Sequence, residues 1–379
     1  MENFTLYNPT KLFFGKDVAE KLGKTVRTLG KKALFVYGEG SIKKTGIYDQ
    51  VIKQLNSAGI DFVEYPGIRP NPIIEDVDAA AELGRKENID FIIAVGGGSV
   101  IDSAKFISIA IPYGGPVWDL VTDKVKPKGN IPIVAVLTLA ATGTEMNRFA
   151  VVQNNITREK LGYGNPLLYP RYSFLDPQYT ITVPKNYTAY GIADLIAHCF
   201  EAFFGKGEAS LSDRFVYAII KEAMEYGPAL LNDLRDLELR SRIMYAATSA
   251  LNNLTLYGRV SGDWGTHSIG HVLSVLYNVP HGASLSIVYP AWLKLQRNRI
   301  PERIAELGQN LFNVTRVDET IAETEAFFTV IGCPSRLSDI GISPNQKQTI
   351  FRTMVDNEVN GNNHKLSHDD YRMLIDLFM

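Results

Sequence analysis

Four side chains in the second half of the sequence have the types and spacing of a metal site. Asp194 and His198 are four residues apart in GIADLIAHCFEAFF, and His267 and His281 follow in DWGTHSIGH and NVPHGAS. Because residues four apart on a helix differ by only about 40° in direction, the first two can face one ion. One carboxylate and three imidazoles suit a divalent ion such as Fe(II), Zn(II), Co(II) or Mn(II). The set therefore predicts one metal centre.

The distribution of histidines supports a site over a set of unrelated core residues. A single histidine on an apolar face is more often a satisfied core group than a ligand. Four of the six histidines, however, fall between residues 198 and 281, and only His364 and His368 lie elsewhere. The fourth of this group is His271, which repeats the four-residue spacing after His267 on the apolar segment SIGHVLSVLYNV. We expect His271 to lie beside the metal centre.

Composition excludes several classes of protein. The 379 residues are 45% hydrophobic and 21% charged with a formal net charge of −2, which is typical of a soluble globular protein of about two domains. The near-neutral balance and the absence of Lys and Arg blocks argue against nucleic acid or an anionic membrane as a partner. We found no apolar leader or membrane-spanning stretch, and Cys199 and Cys333 are far apart, so we predict a cytoplasmic protein with reduced thiols.

The first 180 residues alternate short apolar runs with amphipathic ones, as βαβ units do. Strands this apolar fit a parallel sheet that is covered on both faces. The predicted strands are ALFVYG (33–38), DFVEYPG (61–67), DFIIAVGGG (90–98), PIVAVLTL (132–139) and RYSFLDP (171–177), with a hairpin between 149 and 164. The predicted helices are 45–58, 74–87 and 100–110.

Nearly everything after VPKNYT (183–188) has helical periodicity. We therefore predict an α/β domain over residues 1–180 and an all-α domain over residues 181–379.

Three turns at the ends of predicted strands could bind a nucleotide together. AVGGGSVIDSAK (94–105) runs from a strand through three glycines into a helix, where backbone N–H groups and the helix N-terminus favour a phosphate. Its spacing is not GxGxxG, so alone it is weak evidence. YGEGS (37–41) and LTLAATGTEMN (137–147) close two other strands. Because parallel strands end at one edge of a sheet, the three turns predict one crevice.

The order of these motifs resembles the metal-dependent, group III or iron-containing alcohol dehydrogenases, closest in pattern to the butanol dehydrogenase and aldehyde reductase branch. The resemblance runs end to end through YNPTKLFFGK, GGGSVIDSAK, LTLAATGTEMN, the LDP at 175–177, ADLIAH, HSIGH and VPHG. It implies a Rossmann-like dinucleotide-binding α/β domain, a helical C-terminal domain, and thus a dehydroquinate synthase-like fold. It also implies one metal, with Fe(II) favoured, on Asp194, His198, His267 and His281.

The same resemblance implies a set of cofactor contacts. Gly97, Gly98 and Ser99 would lie at the pyrophosphate. The dinucleotide would extend along Asn71, Thr138, Leu139 and Thr142, with its nicotinamide-side ribose near Asn147, Lys160 and Tyr179. From the turns themselves we also expect cofactor contacts by Gly38, Glu39, Ser41 and Asp102. Ala141 replaces a glycine of the commoner family turn, so the approach of the backbone to the cofactor would differ slightly.

Glu39 bears on the choice between NAD(H) and NADP(H). It ends the first long strand, where its carboxylate could accept hydrogen bonds from the two hydroxyls of an adenosine ribose but would repel a 2′-phosphate. We therefore expect NAD(H) to be favoured over NADP(H). The competing interpretation is that Glu39 points into solvent and that Ser41 with Lys43 or Lys44 binds the phosphate.

These features predict an NAD(P)-dependent alcohol dehydrogenase that interconverts small primary alcohols and aldehydes. A Lewis-acidic metal would polarise the substrate oxygen, hydride would pass to or from nicotinamide, and His271 would relay the proton to solvent. The alternatives are an NAD- and metal-dependent lyase or synthase on the same scaffold, a metal-dependent hydrolase, and a sugar- or nucleotide-binding module with a structural metal. Family members are usually dimers, so we also expect a homodimer, with no nucleic acid or membrane partner.

Overall fold

The computed structural model describes residues 1–379, which form eight strands and fifteen α-helices. The strands are β1 (Lys11–Phe14), β2 (Lys32–Gly38), β3 (Asp61–Ile68), β4 (Phe91–Gly96), β5 (Ile133–Leu137), β6 (Phe149–Asn154), β7 (Glu159–Gly164) and β8 (Tyr172–Leu175). The helices of the first half are α1 (Leu22–Val26), α2 (Ser41–Lys44), α3 (Ile47–Ala58), α4 (Ile74–Lys86), α5 (Gly98–Tyr113) and α6 (Val117–Val121).

The second half contains only helices and their connections. They are α7 (Lys185–Phe203), α8 (Ser210–Asn232), α9 (Leu237–Ala250), α10 (Gly265–Tyr277), α11 (His281–Gln296), α12 (Pro301–Leu311), α13 (Val317–Val330), α14 (Lys347–Asp356) and α15 (His368–Phe378). None of them combines the length and the apolar character that crossing a bilayer requires.

The chain packs into two compact units. One contains Tyr7–Val183 and Arg235–Met244, and the other contains Met1–Leu6, Pro184–Leu234 and Tyr245–Met379. The main division thus falls between Val183 and Pro184, three residues after the boundary predicted at residue 180. Two short segments, Met1–Leu6 and Arg235–Met244, each belong to the unit formed mainly by the other half of the chain. Periodicity in the sequence does not indicate this exchange.

Six parallel strands form the sheet of the first unit, in the order β1-β8-β5-β4-β2-β3. Strands β4 and β5 are buried along their whole length because helices cover both faces, which explains their unbroken apolar sequences. Strands β2, β4 and β5 are direct neighbours and end at the same edge. The predicted crevice-forming turns therefore follow three adjacent strands.

Differences from the predicted elements have local causes. The predicted helix 45–58 begins two residues later, as α3 at Ile47, because Gly46 separates it from the short helix α2 with a φ of +77° that glycine adopts at little cost. The edge strand β1 was not predicted as a strand, because four residues with partly exposed side chains carry little periodic signal. It pairs in parallel with β8, so RYSFLDP lies inside the sheet and not at its edge.

The hairpin β6–β7 docks against the chain before α4. Its strands are antiparallel and pair Gln153 with Lys160. The Gln153 N–H donates to the Pro72 carbonyl at 2.7 Å, and Gln153 also bridges to Ile73. This contact fixes the face of the hairpin that carries Lys160.

Helix α7 is the central helix of the second unit. Every residue from Gly191 to Phe203 is buried, because α8 and α11 pack along it. Helix α10 packs on α11 in turn. A helix that is buried on all sides holds its side chains in fixed positions, which is the property a metal site requires.

Candidate active site

The four predicted metal ligands converge in the second unit. Asp194 and His198 come from α7, His267 from the first turn of α10, and His281 is the first residue of α11. One ligand atom from each lies within 4.8 Å of the corresponding atoms of the other three. Asp194 and His281 are 87 positions apart in the sequence, yet both belong to this one cluster.

The distances within the cluster fit a shared ion better than hydrogen bonds. Asp194 Oδ1 is 3.6 Å from His198 Nε2 and 3.5 Å from His281 Nε2. Hydrogen bonds between such atoms are shorter, at about 2.7–3.2 Å. Two ligands with bonds of about 2.1 Å at a tetrahedral angle would lie about 3.4 Å apart. The donor set and its spacing are therefore those of a divalent-metal site.

Burial and protonation agree with this fit. Asp194 is 2% exposed, His198 4% and His267 6%. His267 Nε2 is buried and has no hydrogen-bond partner in the protein. Burial, followed by the nearby His267, lowers the pKa of His198 well below its usual value. The imidazole of His198 is consequently neutral at pH 7, the form that binds a metal.

Glu201 orients His267, a role that was not predicted from the sequence. Its Oε1 lies 2.7 Å from His267 Nδ1, which leaves Nε2 to face the other three ligands. The same carboxylate accepts from the His267 N–H at 3.2 Å, from the Trp264 N–H at 2.5 Å and from the Thr266 hydroxyl. Carboxylate partners of this kind fix the tautomer and orientation of metal-binding histidines. The spacing of seven residues after Asp194, which puts Glu201 on the same side of α7, was the available signal.

Asp263 anchors the C-terminal segment to the start of α10. Its Oδ1 accepts from the N–H groups of Asn363 at 2.9 Å and His364 at 2.7 Å. A Cβ on Gly361 or Gly265 would lie only 2.5 or 2.9 Å from this carboxylate, so both positions need glycine. Burial, with a further effect of Glu201, raises the pKa of Asp263. Residues near 361–364 therefore help to hold the loop that precedes His267.

Two glycines bring the ligand-bearing helices together. A Cβ on Gly282 would lie 2.0 Å from the carbonyl oxygen of Tyr190, so the start of α11 lies directly on the α7 backbone. A Cβ on Gly270 would lie 2.7 Å from Ser284 Oγ, where α10 crosses α11. Close helix approach of this kind places His281 beside Asp194. His281 is the first residue of α11, directly after Pro280.

His271 lies next to the metal cluster but outside it. Its ring centroid is 5.7 Å from that of His281, and its side chain is partly exposed. His271 therefore lies beside a predicted metal ligand, and its part in proton transfer stays a prediction.

The first unit brings two predicted cofactor turns into contact. A Cβ on Gly97 would lie 3.3 Å from the Leu139 side chain, and one on Gly98 would lie 2.6 Å from Thr142. The Thr138 N–H also donates to the Gly96 carbonyl at 3.0 Å. Helix α5 begins at Gly98, so Ser99 lies in its first turn. This edge presents a glycine turn and a helix N-terminus, the usual elements of a phosphate site.

Asn71 and Lys160 also meet, although 89 residues separate them. Lys160 Nζ donates to Asn71 Oδ1 at 2.8 Å. Asn71 has a φ of +57°, a left-handed conformation that asparagine tolerates better than most residues. The docked hairpin therefore brings together two residues that were predicted to contact the cofactor.

Asp102 and Asn147 support the turns from inside the protein. Asp102 accepts from the Thr144 hydroxyl at 2.6 Å and from the Val151 N–H at 3.0 Å. Asn147 accepts from the Phe149 N–H and from Lys105 Nζ, and its amide donates to the Gly143 carbonyl. Both side chains are buried and use these atoms in internal hydrogen bonds, and their contact with the cofactor stays a prediction.

Tyr179 is likewise held within the core. Its hydroxyl donates to Gln50 at 2.7 Å, and the side chain is 5% exposed. Burial raises its pKa, so the phenol stays protonated.

The YGEGS turn is more open than these positions. Gly38 ends β2, Glu39 is exposed, and Ser41 begins α2.

Comparison with known proteins agrees with both halves of this description. Residues 9–177 match the family model described as iron-containing alcohol dehydrogenase. Residues 188–377 match the C-terminal model of the Fe-containing alcohol dehydrogenase family. The chain belongs to the iron-containing alcohol dehydrogenase family. This family implies a metal and a nicotinamide cofactor, and a matching His and Asp cluster is present.

Relatives within the family cover nearly the whole chain. A probable NADH-dependent butanol dehydrogenase 1 of Bacillus subtilis is 43% identical over 98% of this chain and 98% of its own length. The NADPH-dependent aldehyde reductase YqhD of Escherichia coli is 35% identical over 99% of each. The solved structure of NADH-dependent butanol dehydrogenase A from Thermotoga maritima has a TM-score of 0.96 at 36% identity, over 100% and 99% of the two chains. The predicted family, fold class and enzyme class, an NAD(P)-dependent alcohol oxidoreductase, are confirmed.

The metal cluster gives two contrasting expectations for histidine variants. His267→Ala should abolish metal retention and turnover, because it removes an imidazole from the four-residue cluster. His271→Ala should keep the metal while turnover falls by roughly 10²-fold or less, as for loss of one general acid–base group. Metal content after gel filtration, with circular dichroism to verify folding, distinguishes them. Equal metal loss in both variants would mean that His271 is itself a ligand.

A second expectation concerns the contact between α7 and α11. Gly282→Ala should weaken metal binding by about tenfold or more and lower the melting temperature, because its Cβ meets backbone that cannot move aside without displacing His281. Gly227→Ala in α8 is the matched control, since its Cβ would lie 3.2 Å from the flexible end of the Ile192 side chain on α7, the helix that Gly282 also contacts. Metal affinities that are equal in the two variants would contradict this account of the packing.

Proposed function

We propose that this chain interconverts small primary alcohols and their aldehydes, of the size of butanol and butanal, with NAD(H) and a single divalent metal, Fe(II) by preference. The observation that carries the proposal is the buried Asp194, His198, His267 and His281 cluster in a chain of this family. Relatives named as butanol dehydrogenases support the substrate size. A homodimer is the assembly we expect.

Each part of the reaction has residues in the chain. Asp194, His198, His267 and His281 would hold the metal, and the turns around Gly97, Gly98 and Thr142 would hold the dinucleotide. When bound, the metal supplies a Lewis acid for the substrate oxygen, and the nicotinamide supplies or accepts a hydride. Glu201 keeps His267 in the tautomer whose Nε2 lone pair faces the cluster.

His271 is proposed to move the proton. Reduction of an aldehyde requires one proton on the oxygen, and oxidation of an alcohol releases one. A partly exposed imidazole beside His281 can exchange that proton with solvent, since free histidine titrates near neutral pH. This role explains why a histidine occupies the edge of the cluster without joining it.

Removal and restoration of the metal test the proposed reaction. Chelated protein should lose butanal-dependent oxidation of NADH, and added Fe(II) should restore it. Propanal, glyceraldehyde and lactaldehyde serve as comparison substrates. A lyase or synthase would use NAD with no net change in its redox state, and a hydrolase would bind no nicotinamide, so absorbance of NADH together with a binding titration separates these alternatives. Aldehyde-dependent oxidation of NADH that survives complete metal removal would contradict the proposal.

The proposed preference for NAD(H) over NADP(H) rests on Glu39. Relatives named as NADH-dependent and as NADPH-dependent both exist. Glu39 is exposed after β2, next to the strand that leads into the glycine turn. Glu39→Gly should raise the efficiency with NADPH relative to NADH by about 10- to 100-fold, because it removes a charge that repels the 2′-phosphate. Glu39→Gln should give an intermediate ratio. A wild-type enzyme that prefers NADPH, or an unchanged ratio in Glu39→Gly, would show that Glu39 does not contact the ribose.

A further inference from the structure

Four side chains form a compact polar cluster beside the YGEGS turn. Glu64 of β3 accepts from the Tyr37 hydroxyl at 2.5 Å and from the Tyr48 hydroxyl at 2.7 Å. Lys43 Nζ lies 3.8 Å from Glu64 Oε2, and 4.6 and 5.2 Å from the ring centroids of Tyr48 and Tyr37. We refer to Lys43, Glu64, Tyr37 and Tyr48 as the Lys43 cluster. It gives the lysine one anionic partner and two aromatic faces at once.

The protonation states within the cluster make this arrangement attractive for a cation. Partial burial alone would raise the pKa of Glu64, but hydrogen bonds from Tyr37 and Tyr48 and the charge of Lys43 lower it below its usual value. The hydrogen bond to Glu64, followed by burial, raises the pKa of Tyr48 to about 12. At neutral pH the carboxylate is therefore charged and the phenols are protonated. Both tyrosine hydroxyls donate to Glu64, whose negative charge also attracts Lys43.

The cluster lies where the adenosine end of a dinucleotide is expected. Strand β2 neighbours β4, which leads into the glycine turn, and β2 ends at Gly38. In doubly wound folds, the residue after such a neighbouring strand reads the ribose 2′-position. Lys43 is four residues after Glu39, on the short helix that follows. It is thus one of the cations that could meet a 2′-phosphate.

We propose that Glu64 is a specificity-determining residue that holds Lys43 on Tyr37 and Tyr48 and so withholds it from the 2′-phosphate of NADP(H). To bind the phosphate, Lys43 would have to leave Glu64 and both aromatic rings, so a phosphate contact would gain little affinity. Glu39 then repels the phosphate while Lys43 does not compensate. This inference rests on the proposed binding of a dinucleotide at the YGEGS turn.

The test measures binding and does not depend on turnover. Dissociation constants for NADH and NADPH are determined by calorimetry for the wild type and Glu64→Gln. Glutamine can still accept from a tyrosine hydroxyl but has no charge to hold Lys43. We expect Glu64→Gln to improve NADPH binding relative to NADH by roughly two- to fivefold, the size expected for one partly exposed ion pair.

A double-mutant cycle shows whether the effect passes through Lys43. In a Lys43→Met background, Glu64→Gln should leave the affinity ratio unchanged. In a Lys44→Met background, which removes an equal charge from the same short helix, the effect of Glu64→Gln should persist. Glu87→Gln is a further control, because it breaks the ion pair with Lys32 at the opposite end of β2 and should not alter the ratio. Persistence of the Glu64→Gln effect without Lys43 would overturn the inference, as would no effect in the wild type.

A second variant keeps the inference testable if Glu64→Gln does not fold. Lys43→Met alone should change NADPH affinity by less than about twofold, because a held lysine contributes little to phosphate binding. A loss of about tenfold or more would show that Lys43 already binds the phosphate and would overturn the inference. Failure of the proposed function looks different: neither dinucleotide would bind, or both would bind without aldehyde-dependent oxidation of NADH.

Discussion

The placement of one buried carboxylate governs much of the helical unit. Asp194 is 2% exposed, and an anion at that depth is costly unless positive charge or hydrogen bonds compensate it. The imidazoles of His198 and His281 face it at 3.6 and 3.5 Å, with His267 in the same cluster. Such a group is stabilised most by a cation held among all four. The packing of α7, α10 and α11 therefore produces the geometry that a metal site requires.

That geometry depends on contacts that a pattern of metal-binding residues does not reveal. Gly282 allows α11 to lie on the backbone of α7, and Gly270 allows α10 to approach Ser284. Glu201 selects which nitrogen of His267 faces the cluster. The i,i+4 spacing predicted the Asp194 and His198 pair because it is a property of one helix. The supporting residues act across helices, and their importance becomes visible only when those helices are packed.

The same distinction explains the outcome in the sheet unit. Continuous apolar runs predicted β2, β4 and β5 correctly, since burial on both faces leaves a direct mark on composition. Asp102 and Asn147, which are predicted cofactor residues, form buried hydrogen bonds within the turns, with Asn147 accepting from buried Lys105. A polar residue in a glycine-rich motif either touches the ligand or supports the turn. Sequence spacing does not distinguish the two, because both roles need the residue at the same place in the chain.

The choice between NADH and NADPH involves only a small part of the fold. Relatives that are 43% and 35% identical over nearly the full chain are named for NADH and NADPH respectively, so one scaffold accommodates both. The two cofactors differ by one phosphate, and discrimination therefore requires only a few charges at the end of β2. In the proposed arrangement, Glu39 repels the 2′-phosphate. Control over nearby cations would complete that arrangement, and the contacts of Lys43 with Glu64 and two tyrosines would make it a property of tertiary structure and not of charge count.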